Sequence, residues 1–140
     1  MKIAIGCDHG GIALKDDLAA VIKEMGHEVD DQGCYSTESV NYPEFAKVVC
    51  SQVINGNCDR GILICGTGIG MSMVANRFEG IRAALCHELF TAKMSREHND
   101  ANVLCLGARV VGPGLAEEIV RTWLATDFAG GRHLQRINMF

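Results

Sequence analysis

The sequence predicts an α/β fold, a three-layer αβα sandwich around a five-stranded parallel sheet. Three observations lead there. Short apolar runs recur along the chain, and most are followed by a segment with helical spacing; strands alternating with helices imply parallel pairing through crossover connections. The run Ile62-Leu63-Ile64 lacks polar alternation and reads as a strand buried on both faces. That run ends in Cys65 and the glycine-rich turn Gly66-Thr67-Gly68-Ile69-Gly70, after which a helix opens.

In chain order, Lys2-Ile3-Ala4-Ile5-Gly6 is a short strand and Cys7-Asp8-His9-Gly10-Gly11 its polar exit loop. Leu14, Leu18, Val21, Ile22 and Met25 recur at helical spacing, with Lys15, Asp16, Asp17 and Lys23 assigned to the other side. Gly26 ends that helix as a C′ glycine. Residues 27–31 form a weak strand at or near an edge, and residues 32–40 an irregular loop. Asn41 is expected to cap the second helix, with Pro43 in its first turn. Phe45, Val48, Val49, Gln52 and Val53 carry that helix to the stop Asn55-Gly56-Asn57. The third helix opens at Met71. Residues 82–86 give a fourth strand, 88–98 a helix, and 103–107 a fifth strand. Pro113-Gly114 is expected to break the chain before a last long helix over 115–125, and the tail from Gly130 to Arg136 is short and basic. In a Rossmann-like sandwich of this kind, ligands bind beyond the carboxyl ends of the strands at a topological switch point. The loops 7–11, 65–70, 87–88 and 107–112 all fall there, so Asp8, His9 and Cys65 are expected to share one crevice.

Composition narrows the function classes. The 140 residues are read as a single domain, residues 1–140, with 48% hydrophobic and 21% charged residues, a globular balance. A net charge of −4 without a basic run speaks against nucleic acid as a partner. No signal peptide and no apolar stretch long enough for a bilayer are seen, so no membrane partner and a cytoplasmic location are expected. Seven cysteines without a C-x-x-C pair fit a reducing compartment and free thiols.

The glycine turn is not a dinucleotide fingerprint, because G-x-G-x-x-G needs its last glycine one place later, and no Gly-Lys-Ser/Thr follows to make a phosphate loop of the Walker kind. It reads equally as a tight strand–helix connection or as an anion cradle of backbone N–H groups with a helix dipole behind them. Cys65 is either inert core or a reactive thiol; next to a helix N-terminus the ordinary thiol pKa of about 8.5 tends to fall. Asp8-His9 is either a plain turn or a proton-handling pair. His98 ends a helix, where a histidine also suits the dipole. His27 and His87 are assigned no function, and no His/Cys/carboxylate spacing suggests a metal. Arg132 and Arg136, four apart, are a solvated basic face or, with Arg109, a bidentate phosphate clamp.

Taken together, Gly6-Cys7-Asp8-His9, Ile64-Cys65-Gly66-Thr67-Gly68-Ile69-Gly70, His98-Asn99-Asp100 with Asn102-Val103, and Gly130-Gly131-Arg132-His133 with Gln135-Arg136 resemble the type B ribose-5-phosphate isomerases. That family also includes allose-6-phosphate isomerases and the subunits of galactose-6-phosphate isomerase. The resemblance covers Met1 to about Arg136, with the motifs in the same order. It implies that Cys65 is the base moving a proton between carbons 1 and 2 of the sugar. It implies that His98 opens the furanose ring, with Thr67 and Asp8 nearby. Gly66, Thr67, Gly68, Ile69, Gly70 and Asn99 resemble the anion hole for the enediolate. His9, Arg109, Arg132 and Arg136 resemble the phosphate-binding set. Some members use a glutamate just after the glycine loop instead of the cysteine; that place is Met71 here, which takes no proton. The resemblance further implies no metal and no organic cofactor. It implies a homodimer or dimer of dimers with active sites formed across the subunit interface. Many relatives continue past the position of Phe140 into a longer C-terminal helix.

The expected activity is aldose–ketose isomerisation of ribose 5-phosphate and ribulose 5-phosphate, a step of the non-oxidative pentose phosphate pathway. Its rivals are a six-carbon substrate such as allose 6-phosphate, a non-catalytic sugar-phosphate binder, and a thiol redox sensor. The missing C-x-x-C partner counts against the last of these.

Overall fold

In a computed structural model that describes residues 1–140, the strands are β1 (Lys2–Cys7), β2 (Glu28–Asp31), β3 (Arg60–Cys65), β4 (Ala83–Leu85) and β5 (Val103–Gly107). They pair in the order β2-β1-β3-β5-β4, every pair parallel. The helices are α1 (Ile12–Glu24), α2 (Tyr42–Ile54), α3 (Ile69–Ala75), α4 (Leu89–Glu97), α5 (Pro113–Ala125) and α6 (Arg132–Ile137).

The central strands alternate between two apolar cores, which is why they read as uninterrupted hydrophobic runs. Ile3, Ile5, Ile62, Ile64, Leu104 and Leu106 face a core shared with α1, α4 and α5. Ala4, Leu63, Cys65, Val103 and Cys105 face the other core, shared with α2 and α3. The second core is the thinner one. A Cβ on Gly6 or on Gly61 would stand 2.8 Å from a Val49 methyl, so two glycines on neighbouring strands let α2 sit directly on the sheet. The weak strand expected over 27–31 is the edge strand β2, and Gly26 (φ +82) follows the C-cap Met25 of α1 as the expected C′ glycine; its N–H reaches Lys23 O while the His27 N–H reaches Ile22 O.

Four local expectations outside the glycine loop differ from the structure. Asn41 occupies the N-cap position of α2 but makes no side-chain cap; its amide donates to Glu44 Oε1 at 3.2 Å instead. The buried face of α2 runs through Ala46, Val49 and Cys50, and Val48 points outward, because the small residues let the helix settle closer to the sheet. Pro113 and Gly114 open α5 rather than preceding it, since proline at the first helical position forfeits no intrahelical hydrogen bond. Lys15, assigned to the solvated side of α1, is 1% exposed. Its ammonium meets Asp31 at 2.6 Å and Asp16 at 3.1 Å, over the Tyr35 ring. Burial pushes that ammonium's pKa down, the two carboxylates push it up, and the net is up. On the lysine side the stabilisation is therefore complete at neutral pH and is lost as the pH rises beyond the ordinary lysine range.

Gly68 and Gly80 both have positive φ, but they differ in surroundings. A Cβ on Gly68 (φ +75) would stand 2.5 Å from Leu85 Cδ1 and 2.8 Å from the Leu106 carbonyl carbon; one on Gly80 (φ +83) meets nothing within 4 Å. Gly80→Ala should cost about 1 kcal/mol through backbone conformation alone. Gly68→Ala should cost about 3 kcal/mol or more, because strain and overlap add. Urea midpoints measure both, and equal costs would show that the loop yields freely at Gly68.

Candidate active site

The carboxyl ends of β1, β3 and β5 are stitched together by backbone hydrogen bonds. The Asp8 N–H donates to Ile64 O at 3.0 Å, the Ala108 N–H to Cys65 O at 2.8 Å, and the Arg109 N–H to Gly66 O at 3.0 Å. The Asp8 carboxylate turns its own loop by accepting the Gly10 N–H at 2.9 Å. Asp8 Oδ1, Arg109 Nη2 and the Gly66 nitrogen all lie within 4 Å of where a Cβ on Gly10 would stand, and the Arg109 side chain crosses Gly66. The structure thus gathers Asp8, Gly66 and Arg109, with His9 in the same loop. His9 Nδ1 accepts the Val40 N–H at 3.2 Å, which in a neutral ring leaves the proton on Nε2 as a donor.

Cys65 closes β3, 5% exposed, on the α2/α3 side of the sheet. The helix after it starts two residues earlier than the sequence suggests, at Ile69, because Gly68 takes a left-handed N-cap conformation. That turn swings the Gly68 N–H back onto Cys65 Sγ, at 3.1 Å. Thr67 Oγ1 accepts the Ile69 N–H at 3.3 Å. The N–H groups of Gly66, Thr67, Gly70 and Met71 donate to no group of the chain, leaving four unpaired backbone donors in the loop and first helical turn that follow the thiol. Tyr42, which the sequence reading passed over, lies on this loop: a Cβ on Gly70 would stand 2.6 Å from its ring. Nothing in the local pattern marks Tyr42; it reaches Gly70 because α2 and α3 pack side by side.

Cys65 is the one cysteine whose sulfur accepts a backbone N–H. Cys7, Cys34 and Cys58 instead donate to oxygen. Burial pushes the Cys7 thiol up to about 12 and those of Cys50 and Cys58 up to about 11, and it raises Cys86 and Cys105 as well. Those five stay protonated at neutral pH.

His98, Asn99, Arg132 and Arg136 stand elsewhere. A crossover helix runs back against its strands, so α4 ends beside their amino-terminal ends. The link is direct: the Gly61 N–H, at the start of β3, donates to Asn102 O at 2.9 Å. From Gly61 to Cys65 is four residues of β3, about 13 Å at about 3.3 Å per residue. His98 is the C-cap of α4, Asn99 is exposed, and Arg132 and Arg136 lie exposed on α6, free of ion pairs with the chain's carboxylates. The residues singled out from the sequence therefore fall into two groups at opposite ends of the sheet. Neither is enclosed. One of the largest hollows, about 450 Å³, lies along the open edge of β4, lined by Asn76, Ile81, Arg82, Asn99 and Phe140 among others. His87, assigned no function, has a buried Nε2 without a partner, and no hollow opens onto it. No helix is long and apolar enough to cross a membrane.

Comparison with known proteins matches residues 3–140 to the family described as Ribose/Galactose Isomerase. The chain is 52% identical over 136 residues to ribose-5-phosphate isomerase B of Escherichia coli strain K12, covering 97% of this chain and 91% of that one. It is 45% identical over 132 residues to the D-erythrulose-4-phosphate isomerase of Pectobacterium atrosepticum, covering 94% and 87%. Its fold is similar to that of ribose-5-phosphate isomerase B from Clostridium thermocellum, with a TM-score of 0.98 and 55% identity over 99% of this chain and 94% of that chain.

Proposed function

The chain belongs to the ribose/galactose isomerase family, and from that premise we propose that it interconverts ribose 5-phosphate and ribulose 5-phosphate through a cis-enediolate with Cys65 as the carbon base. One observation carries the reading: the sulfur that accepts the Gly68 N–H is followed directly by a loop of unpaired backbone donors, so a base and an oxyanion cradle are neighbours.

The Cys65 thiolate takes the C2 proton of the open-chain aldose. The electron pair left behind becomes the C1–C2 double bond, and the C1 oxygen takes the negative charge. The N–H groups of Gly66, Thr67 and Gly70 are placed to receive that oxygen; a donor so aimed contributes about 3–4 kcal/mol. The thiol returns its proton to C1 and the C2 hydroxyl proton passes to the C1 oxygen, which leaves the ketose. His98 acts on the ring form: it donates a proton to the ring oxygen as the bond from C1 to that oxygen breaks, and the C1 hydroxyl gives up its own proton to solvent as it becomes the aldehyde, with Asp8 and Thr67 near the sugar hydroxyls and Asn99 beside the enediolate. His9, Arg109, Arg132 and Arg136 hold the phosphate, whose binding energy keeps the open chain in place.

These roles need both ends of the sheet, and no five-carbon sugar phosphate spans the length of β3. The site is therefore built between two subunits, one giving Cys65, Asp8, His9 and Arg109, the other His98, Asn99, Arg132 and Arg136. A homodimer is the smallest assembly that completes it. The free thiol at its centre suits a reducing, cytoplasmic setting. The relative that acts on a four-carbon sugar phosphate makes chain length the open variable, so the pentose is to be compared with four- and six-carbon sugar phosphates.

Proton NMR with ribose 5-phosphate in heavy water tests the reaction. Ketose should appear in wild type, and Cys65→Ala should lose about 10²-fold or more of the turnover while still binding sugar phosphate. Normal turnover in that variant would remove Cys65 as the base. Mixing tests the shared site. Cys65→Ala and His98→Asn subunits, each inactive on ribose 5-phosphate alone, should recover about a quarter of wild-type activity after exchange, because half of the statistical dimers carry one intact site of two. No recovery in proven mixed dimers would place each site within one chain.

A further inference from the structure

The catalytic role proposed for His98 depends on holding an imidazole in one plane, and the chain gives that ring no hydrogen bond. The usual device, a carboxylate or carbonyl on the other ring nitrogen, is missing. What touches the ring is another ring: His98 and His133 stack with centroids 4.1 Å apart and planes 10° from parallel. We propose that His133 is the positioning residue of the ring-opening step, a flat plate that fixes the plane of His98 so that it meets the ring oxygen of the sugar.

The backbone is shaped to deliver that plate. The Ala129 N–H donates to Glu97 O at 3.0 Å, which ties the incoming chain to the end of α4. Gly130 (φ +62) and Gly131 (φ +55) then reverse the chain, and a Cβ on either would meet nothing within 4 Å. Glycine is required there for the sign of φ rather than for room. The His133 N–H closes the turn on Gly130 O at 3.0 Å, and α6 lies back over His98. The same six-residue helix carries Arg132 and Arg136, so the plate and two of the phosphate donors are set by one turn.

The electrostatics suit a plate that stays neutral while its neighbour changes charge. Partial burial lowers the His133 pKa, as do His98 and the cations Arg132 and Arg136 of its own helix; Glu97 of α4 pulls the other way and is outweighed. Asp100, next along from Asn99, is already engaged by Arg82 at 3.0 Å and Arg96 at 2.8 Å. A neutral aromatic face tolerates a cation against it, where a second imidazolium would repel it.

This inference rests on the isomerase reading, and the test separates the two. Conversion of ribose 5-phosphate requires ring opening. Solvent deuterium exchange at C1 of ribulose 5-phosphate does not, because that ketose has no free hydroxyl with which to close a furanose. His133→Ala should lower conversion of ribose 5-phosphate about tenfold or more, by the cost of a misplaced catalytic group, while exchange into ribulose 5-phosphate stays within about twofold. His133→Phe, which keeps a flat ring and removes titration, should restore conversion to within about threefold of wild type. A uniform fall in both readouts for His133→Ala, equal behaviour of the Ala and Phe variants, or no effect in either would overturn the positioning role. His98→Asn is the reference: if it shows the split and His133→Ala does not, the inference fails alone; if His98→Asn loses both readouts equally, the ring-opening reading fails and takes the inference with it.

Discussion

Two glycines pressed against each other's backbones organise the chemistry of this protein. A Cβ on Gly68 would stand 2.8 Å from the carbonyl carbon of Leu106, and one on Gly107 would stand 2.7 Å from the carbonyl of Thr67. With no side chain on either partner, the loop after β3 lies directly on the end of β5. That contact allows the Ala108 and Arg109 N–H groups to bind Cys65 O and Gly66 O. It also lays the Arg109 side chain across Gly66 and forces the left-handed turn that points the Gly68 N–H at the Cys65 sulfur. The unpaired N–H groups of the loop, the partner of the thiol and the lie of Arg109 all follow from one close approach of main chain to main chain.

The opposite end of the sheet is held by arginines instead of glycines. Arg60 Nη1 donates to the carbonyls of Trp123 and Leu124, at 3.0 and 3.2 Å, and so satisfies the last turn of α5. Arg96 Nη1 donates to Ala101 O at 2.6 Å, and both guanidinium groups lie over the buried Trp123 ring. Asp100, the one non-glycine residue with positive φ, takes Arg82 and Arg96 together. This frame surrounds His98 and Asn99 without touching the Cys65 end. The separation is a consequence of topology: in a parallel sheet each crossover helix returns the chain to the amino-terminal ends of the strands, so the carboxyl end of α4 and the carboxyl end of β3 lie on opposite sides of the sheet within one chain.

The division among the seven cysteines shows how little residue type says by itself. Five are core thiols that burial makes harder to ionise, and they serve as small apolar side chains in tight layers. Cys65 is nearly as buried as they are, but it ends β3 at the glycine loop, and its sulfur accepts the Gly68 N–H. Lys15 makes the converse point. Helical spacing placed it on the wet side of α1, yet Asp31 on the edge strand and the Tyr35 ring draw it inside. A periodicity argument treats a long cation as polar and has no term for a partner that arrives from another strand.

The order of the elements, the layered α/β class and the identity of the chemical groups are legible in the sequence. Those depend on local signals: the uninterrupted apolar run Ile62-Leu63-Ile64, the helical spacing of Leu14 to Ile22, and the glycines that stop or turn the chain. Helix starts and faces were less legible, as Ile69, Val48 and Pro113 show, because packing against a neighbouring layer shifts them by a turn or less. Only the tertiary structure decided which residues stand together. It put Asp8, Cys65, the glycine loop and Arg109 on one edge of the sheet, and His98, Asn99, Arg132 and Arg136 on the other. It brought Tyr42 to the loop and laid His133 flat on His98. The reason is that such contacts join segments far apart in the chain, whose meeting is set by strand order and crossover direction rather than by any residue's neighbours in sequence.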